Sequence, residues 1–240
     1  MKKMILLSLV SLIIAFMATP LMANSFTFFS GSGNVIGNTG GPVSSEAVFS
    51  TGLNTIDITL TNTLVDPTDV AQNLSDLAFY FALATGAAPT GSSLTSSGLE
   101  RNVNSDGTYT TGSNPVETGW SLTSISGGLY LNVLGAVGPE HTIIGAPAIA
   151  SGEYDAANHS IAGNDPHNPF LAGPVTFLIA APGVTADTAI TGVVFSYGTI
   201  PLAPPQGPPP PPQVPEPTTL LLLGLGLVGL AGLRRKFYKG

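Results

Sequence analysis

The sequence predicts an all-β body, an antiparallel β-sandwich, carried on a proline-rich stalk with a C-terminal transmembrane helix. Three observations carry that expectation. Short β-branched and aromatic runs recur between Gly-, Ser- and Asn-rich segments, and no clear amphipathic helix interrupts them. The strand-like segments recur at spacings of about 10 to 25 residues, as in an all-β sandwich. Apolar stretches flanked by basic residues stand at both ends and nowhere between.

Met1-Lys2-Lys3 opens the chain as a short basic region, and Met4 to Met17 follows as an apolar run. About 14 residues is short for a hydrocarbon core that needs roughly 20. Pro20 then breaks the helix, and Ala23 supplies the small residue of a cleavage position. Residues 1–23 therefore read as a secretory signal cut after Ala23.

The exported body is assigned to residues 24–200. Ser25 to Phe29 is expected as the first strand and Ala47 to Ser50 as a short second. Thr55 to Leu60 alternates Ile56, Ile58 and Leu60 with Asp57 and Thr59, the pattern of a half-buried strand. Leu77 to Leu83 is apolar on both faces and reads as a central strand rather than a helix. Trp120 to Ile125 and Leu129 to Val133 flank Ser126-Gly127-Gly128 as a hairpin. Val175 to Ala181 and Ile190 to Tyr197 are the last strands, with a turn at Pro182-Gly183. Long loops are expected at 31–45, 86–114 and 140–174. Jelly-roll, immunoglobulin-like and cohesin-like sandwiches all suit this pattern.

Charge divides by position. Between Met4 and Leu233 the only base is Arg101, and residues 24–213 hold thirteen acids, a net −12 against −7 for the chain. Such a body excludes nucleic acid as a partner. Cysteine is absent, which excludes disulfides, thiolate metal sites and cysteine nucleophiles. No phosphate-binding, zinc-protease or serine-hydrolase motif occurs, and Gly31-Ser32-Gly33 reads as a turn. No catalytic residues are assigned.

Residues 151–170 concentrate Glu153, Asp155, Asn158, His159, Asp165 and His167. A solvated loop is the plainer reading. An oxygen-rich loop of this kind also suits Ca²⁺, with Asp155, Asn158 and Asp165 as ligands. Trp120 is expected in the core, and Tyr154 as the aromatic best placed for exposure and for stacking on sugars.

Residues 201–213 open a stretch in which ten of the 21 prolines fall by Pro217. Polyproline II rises about 3.1 Å per residue, so the stretch makes a semi-rigid stalk on the order of 50 Å long. Residues 214–240 complete the chain. Val214-Pro215-Glu216-Pro217-Thr218 precedes Leu220-Leu221-Leu222-Leu223-Gly224-Leu225-Gly226-Leu227-Val228-Gly229-Leu230-Ala231-Gly232-Leu233, an uncharged run long enough for a short span. Arg234-Arg235-Lys236 follows as a basic stop that stays cytoplasmic, which puts the body outside. Pro215 and Pro217 keep the region before the helix extended, as a protease cleft requires.

These three parts in this order closely resemble the PEP-CTERM sorting signal. The resemblance covers only the C-terminal tail and carries no fold or activity for the body. It implies processing by an exosortase, which cuts near the motif and removes the helix. It also implies a Gram-negative host that makes exopolysaccharide. The expected route runs through the general secretion machinery and signal peptidase to a transient inner-membrane precursor. The mature form then resides in the outer envelope, the biofilm matrix or the medium. The leading expectation is a non-enzymatic structural or adhesive protein of the exopolysaccharide layer. A carbohydrate-binding module for secreted polysaccharide is the alternative, and a secreted hydrolase the second.

Overall fold

The computed structural model describes residues 24–31, 34–36, 41–135, 140–157, 160–162 and 167–199. The signal segment through Ala23, the stalk, the sorting motif Val214 to Thr218, the apolar run and the basic stop lie outside these residues. Among the described residues no helix is long and apolar enough to cross a membrane.

Those residues are nearly all β. Two groups of strands form around one core. The first runs β1 (Asn24–Phe29), β3 (Ser45–Gly52), β4 (Thr55–Asn62), β11 (Phe170–Ala180), β6 (Ser93–Val103) and β7 (Tyr109–Thr111). The second runs β2 (Val35–Ile36), β12 (Ile190–Tyr197), β5 (Leu74–Phe81), β9 (Gly128–Asn132) and β8 (Ser121–Ile125). The short β10 (Ile143–Ile144) ties them into one hydrogen-bonded sheet. Ile143 pairs with Leu171 of β11 and with Leu74 of β5.

The sheet is mixed where an antiparallel one was expected. The pairs β10–β11 and β12–β2 are parallel, each over two residues. Both join segments brought together by long connections, which is how parallel neighbours arise.

Alternation explains the outer strands. In β3, Ala47 and Phe49 point inward while Glu46, Val48 and Ser50 face out. In β4, Ile56, Ile58 and Leu60 are buried and Asp57 is exposed. The central β5 is buried throughout. Its Leu77, Phe79 and Phe81 enter the main core, and Ala78 and Tyr80 enter a small second cluster with Tyr130 and Val194. Phe49 of the first group lies 5.2 Å from Phe79 of the second. Phe28 meets Phe49 edge-on at 5.8 Å. Each such side chain contributes on the order of 2–3 kcal/mol by burial.

The eight expected strands are present, with their ends moved. The β8–β9 hairpin turns at Ser126-Gly127, where Gly127 has φ +76°. Gly183 also takes a positive φ, +88°, but β11 and β12 are not paired. The turn at Pro182-Gly183 instead passes the chain from one strand group to the other.

The three expected loops need correction. Residues 31–45 contain β2, residues 86–114 contain β6 and β7, and residues 140–174 contain β10 and the first part of β11. Pro174 cannot donate to a ladder, and β11 shifts register between Ala172 and Thr176. The strand continues through that irregularity.

Candidate functional site

Residues with chemical potential gather where β6 passes the start of β10. Glu100 and Arg101 sit on β6, and His141 stands just before β10 with φ +60°, unusual for a residue with a Cβ. His141 Nδ1 lies 2.9 Å from the Thr118 carbonyl, which can only accept, so this nitrogen carries the proton. Its Nε2 meets Glu100 Oε1 at 3.0 Å. The His141 amide donates to Pro169 O, and its carbonyl accepts Trp120 Nε1–H at 3.0 Å. All four polar groups of His141 are thus engaged. The residue ties β6, the segment before β8 and the entry to β11 together. Both ring nitrogens therefore have protein partners.

Arg101 has equally fixed partners. Its Nη1 donates to Tyr154 Oη at 2.9 Å and its Nε to Thr111 Oγ1 at 2.9 Å. Its guanidinium carbon lies 4.5 Å from the centre of the Tyr109 ring, a cation–π contact. The Tyr154 hydroxyl donates onward to Gly145 O at 2.8 Å, and the ring meets Tyr109 edge-on. Tyr154 is 1% exposed, which overturns the expectation that it faces solvent and stacks on sugars. Burial pushes its phenol up, against the pull of Arg101.

The same packing corrects the view of residues 151–170 as merely a solvated loop. Tyr154, Ala157 and Ile161 join Val103, Ile144 and Phe170 in a second small core. Asp155 lies at its rim. Ser151 Oγ donates to Asp155 Oδ1 at 2.7 Å, and the Asp155 amide donates to Asp66 Oδ1. The other two expected calcium ligands, Asn158 and Asp165, lie outside the described residues. Among the described residues no three His, Asp or Glu side chains come together as a metal cluster.

A second polar group is buried on the outer side of β5. Asp76 is fully buried, with Asn132 its direct neighbour on β9 and Ser196 on β12. Ser75 Oγ donates to Asp76 Oδ2 at 3.3 Å, and Asn132 Nδ2 donates to Tyr130 Oη at 3.0 Å. Burial lifts the Asp76 carboxyl to about 7, outweighing hydrogen bonds from Tyr130, Ser75 and the Val133 amide.

Trp120 marks the seam between the two groups. It is 5% exposed, as a core residue is expected to be, and its ring lies 5.1 Å from Phe177. Beside it a cleft of about 290 Å³ opens between the start of β6 and the start of β8. A second depression of about 240 Å³ lies on the outer face of β4, β11 and β6, around Asp57, Thr95 and Thr176.

Beyond the body, the chain can be compared with known proteins. Residues 213–236 match the PEP-CTERM protein-sorting motif. The PEP-CTERM match spans Val214 to Thr218, the whole apolar run and the basic stop at Arg234 to Lys236. It implies processing by an exosortase and an exported, membrane-passing protein. No curated protein and no solved structure matches the chain. The PEP-CTERM motif was legible because its parts follow one another closely in the sequence. The Arg101–Tyr154 and His141–Glu100 contacts left no such signal, since their partners come from distant segments.

Proposed function

We propose that the chain is a non-enzymatic component of the extracellular matrix or exopolysaccharide layer of a Gram-negative bacterium, structural or adhesive in role. The observation that carries this reading is the PEP-CTERM match over residues 213–236. A signal cut after Ala23 would deliver the chain, and the Leu220 to Leu233 helix would hold the precursor in the inner membrane until an exosortase removes it. The body is read as a two-layer sandwich, because aromatic side chains of the two strand groups meet across one core.

Intact-mass measurement of the secreted protein tests the route. The mature chain is expected to begin at Asn24 and to lack residues 220–240. A tail retained in an exosortase-competent cell would overturn the sorting part of the reading.

A further inference from the structure

We propose that the cleft beside Trp120 is a binding site for one residue of a neutral polysaccharide. The inference rests on the reading of the protein as part of an exopolysaccharide layer and names the site that would hold the polymer.

The cleft exists because β6 and β8 belong to different strand groups and are not paired with each other. Ser92, Ser93, Glu117, Ser121, Leu122 and Trp120 line it. Ser92, Ser93 and Glu117 are exposed at its mouth, and Ser121 and Leu122 are half-buried along one side.

The walls are held in place before any ligand arrives. Trp120 is pinned by its indole N–H on His141 O, by its amide on Thr118 Oγ1 at 3.2 Å, and by Phe177 behind it. Thr118 Oγ1 in turn bonds Ser96 Oγ at 2.6 Å. Ser121 Oγ donates to Asn132 O at 3.0 Å. Gly91 packs directly on Leu122, whose side chain would have to move to admit a Cβ there. A wall fixed in this way loses little entropy when a ligand binds.

The chemistry selects the ligand. Serine hydroxyls both donate and accept, and Glu117 accepts strongly; half-buried Leu122, with the small part of Trp120 left uncovered, adds a narrow apolar patch. No lysine, arginine or histidine lines the cleft, so an anionic sugar finds no counter-charge there. The volume of about 290 Å³ falls at the lower end for small-molecule sites, room for a single pyranose. The cleft is open to solvent at Ser92 and Ser93, so a polymer can extend outward from the bound residue.

Trp120 is the only tryptophan in the chain, so its emission reports on this cleft alone. The test follows that emission in the processed protein, as secreted by an exosortase-competent host. The probes are neutral cello-, malto- and manno-oligosaccharides, with an oligogalacturonate as the anionic counterpart. A saturable change is expected with at least one neutral series and none with the acidic one. Glu117→Gln should weaken binding about tenfold, and Ser93→Leu, which fills the mouth, should abolish it. Both positions are exposed, so circular dichroism should report an unchanged fold. No saturable change with any neutral series, a preference for the acidic probe, or a response untouched by both variants would each overturn the proposal. Protein retained in the matrix without any response at Trp120 sinks the cleft alone. Protein that binds the sugars yet is not retained by the producing cells sinks the matrix reading instead.

Discussion

Replacing Asp76 with asparagine should remove a distinct pH dependence from the stability of the body. The Asp76 carboxyl is fully buried, and burial lifts it from its ordinary 3.8 to about 7. Between these values the folded chain keeps a proton that the unfolded chain has lost. Folding is therefore favoured at low pH, and this contribution declines as pH rises through the window. It levels off once the folded carboxyl ionises, near pH 7. A difference of about three pH units, at about 1.4 kcal/mol each, amounts to about 4 kcal/mol between pH 4 and pH 8. Asparagine stays neutral throughout and carries none of this slope. The assay is urea unfolding of the wild type and Asp76→Asn at pH 4, 5, 6, 7 and 8. Other carboxylates titrate in both proteins and cancel in the difference. Wild type should lose about 4 kcal/mol relative to the variant across the series. A difference that stays flat with pH would refute the argument, because a buried carboxyl held neutral cannot avoid that linkage.

Two further substitutions probe contacts that hold the body together. Tyr154→Phe removes a buried hydroxyl that accepts from Arg101 and donates to Gly145 O, and should cost about 1–3 kcal/mol in urea unfolding. An unchanged midpoint would mean that water replaces the hydroxyl. Gly128→Ala places a Cβ against the Phe79 carbonyl across the β5–β9 pair. It should destabilise by about 3 kcal/mol or more and cut the secreted yield, and a yield equal to wild type would speak against so close an approach.

How much of this fold could be read from the sequence depends on what each strand buries. β3, β4, β5 and β12 bury Ile, Leu, Val and Phe at period two or in continuous runs, so their pattern is visible locally. β6 is eleven residues long, yet it presents Ser96 and Gly98 to the interior. Ser96 is buried because Thr118 satisfies its hydroxyl. Gly98 packs tightly, with Leu171 and Val175 side chains 3.3 Å from where its Cβ would be. Neither reason belongs to the segment itself, so β6 reads as loop. Tyr154 fails in the same way. Its neighbours in sequence are polar, and the arginine that draws it inward lies 53 positions earlier. The sorting tail is the opposite case, since its proline motif, apolar run and basic stop follow one another within residues 213–236.

The charge distribution gains meaning from these contacts. Between Asn24 and Thr199 the chain has thirteen acids and the single base Arg101. That base is spent inside the protein, spread over Tyr109 and bonded to Tyr154 and Thr111. One acid, Asp76, is withdrawn from the surface and held near neutrality by burial. The described surface is therefore acidic with no cation free to bind a polyanion, and its remaining polarity comes from hydroxyls and amides. Long-range attraction to an acidic polymer is repelled by such a surface. What it offers a partner is short-range hydrogen bonding and apolar contact, which a neutral, hydroxyl-rich polymer can return in kind. That is the class of partner proposed for the Trp120 cleft, whose lining lacks basic residues for the same reason.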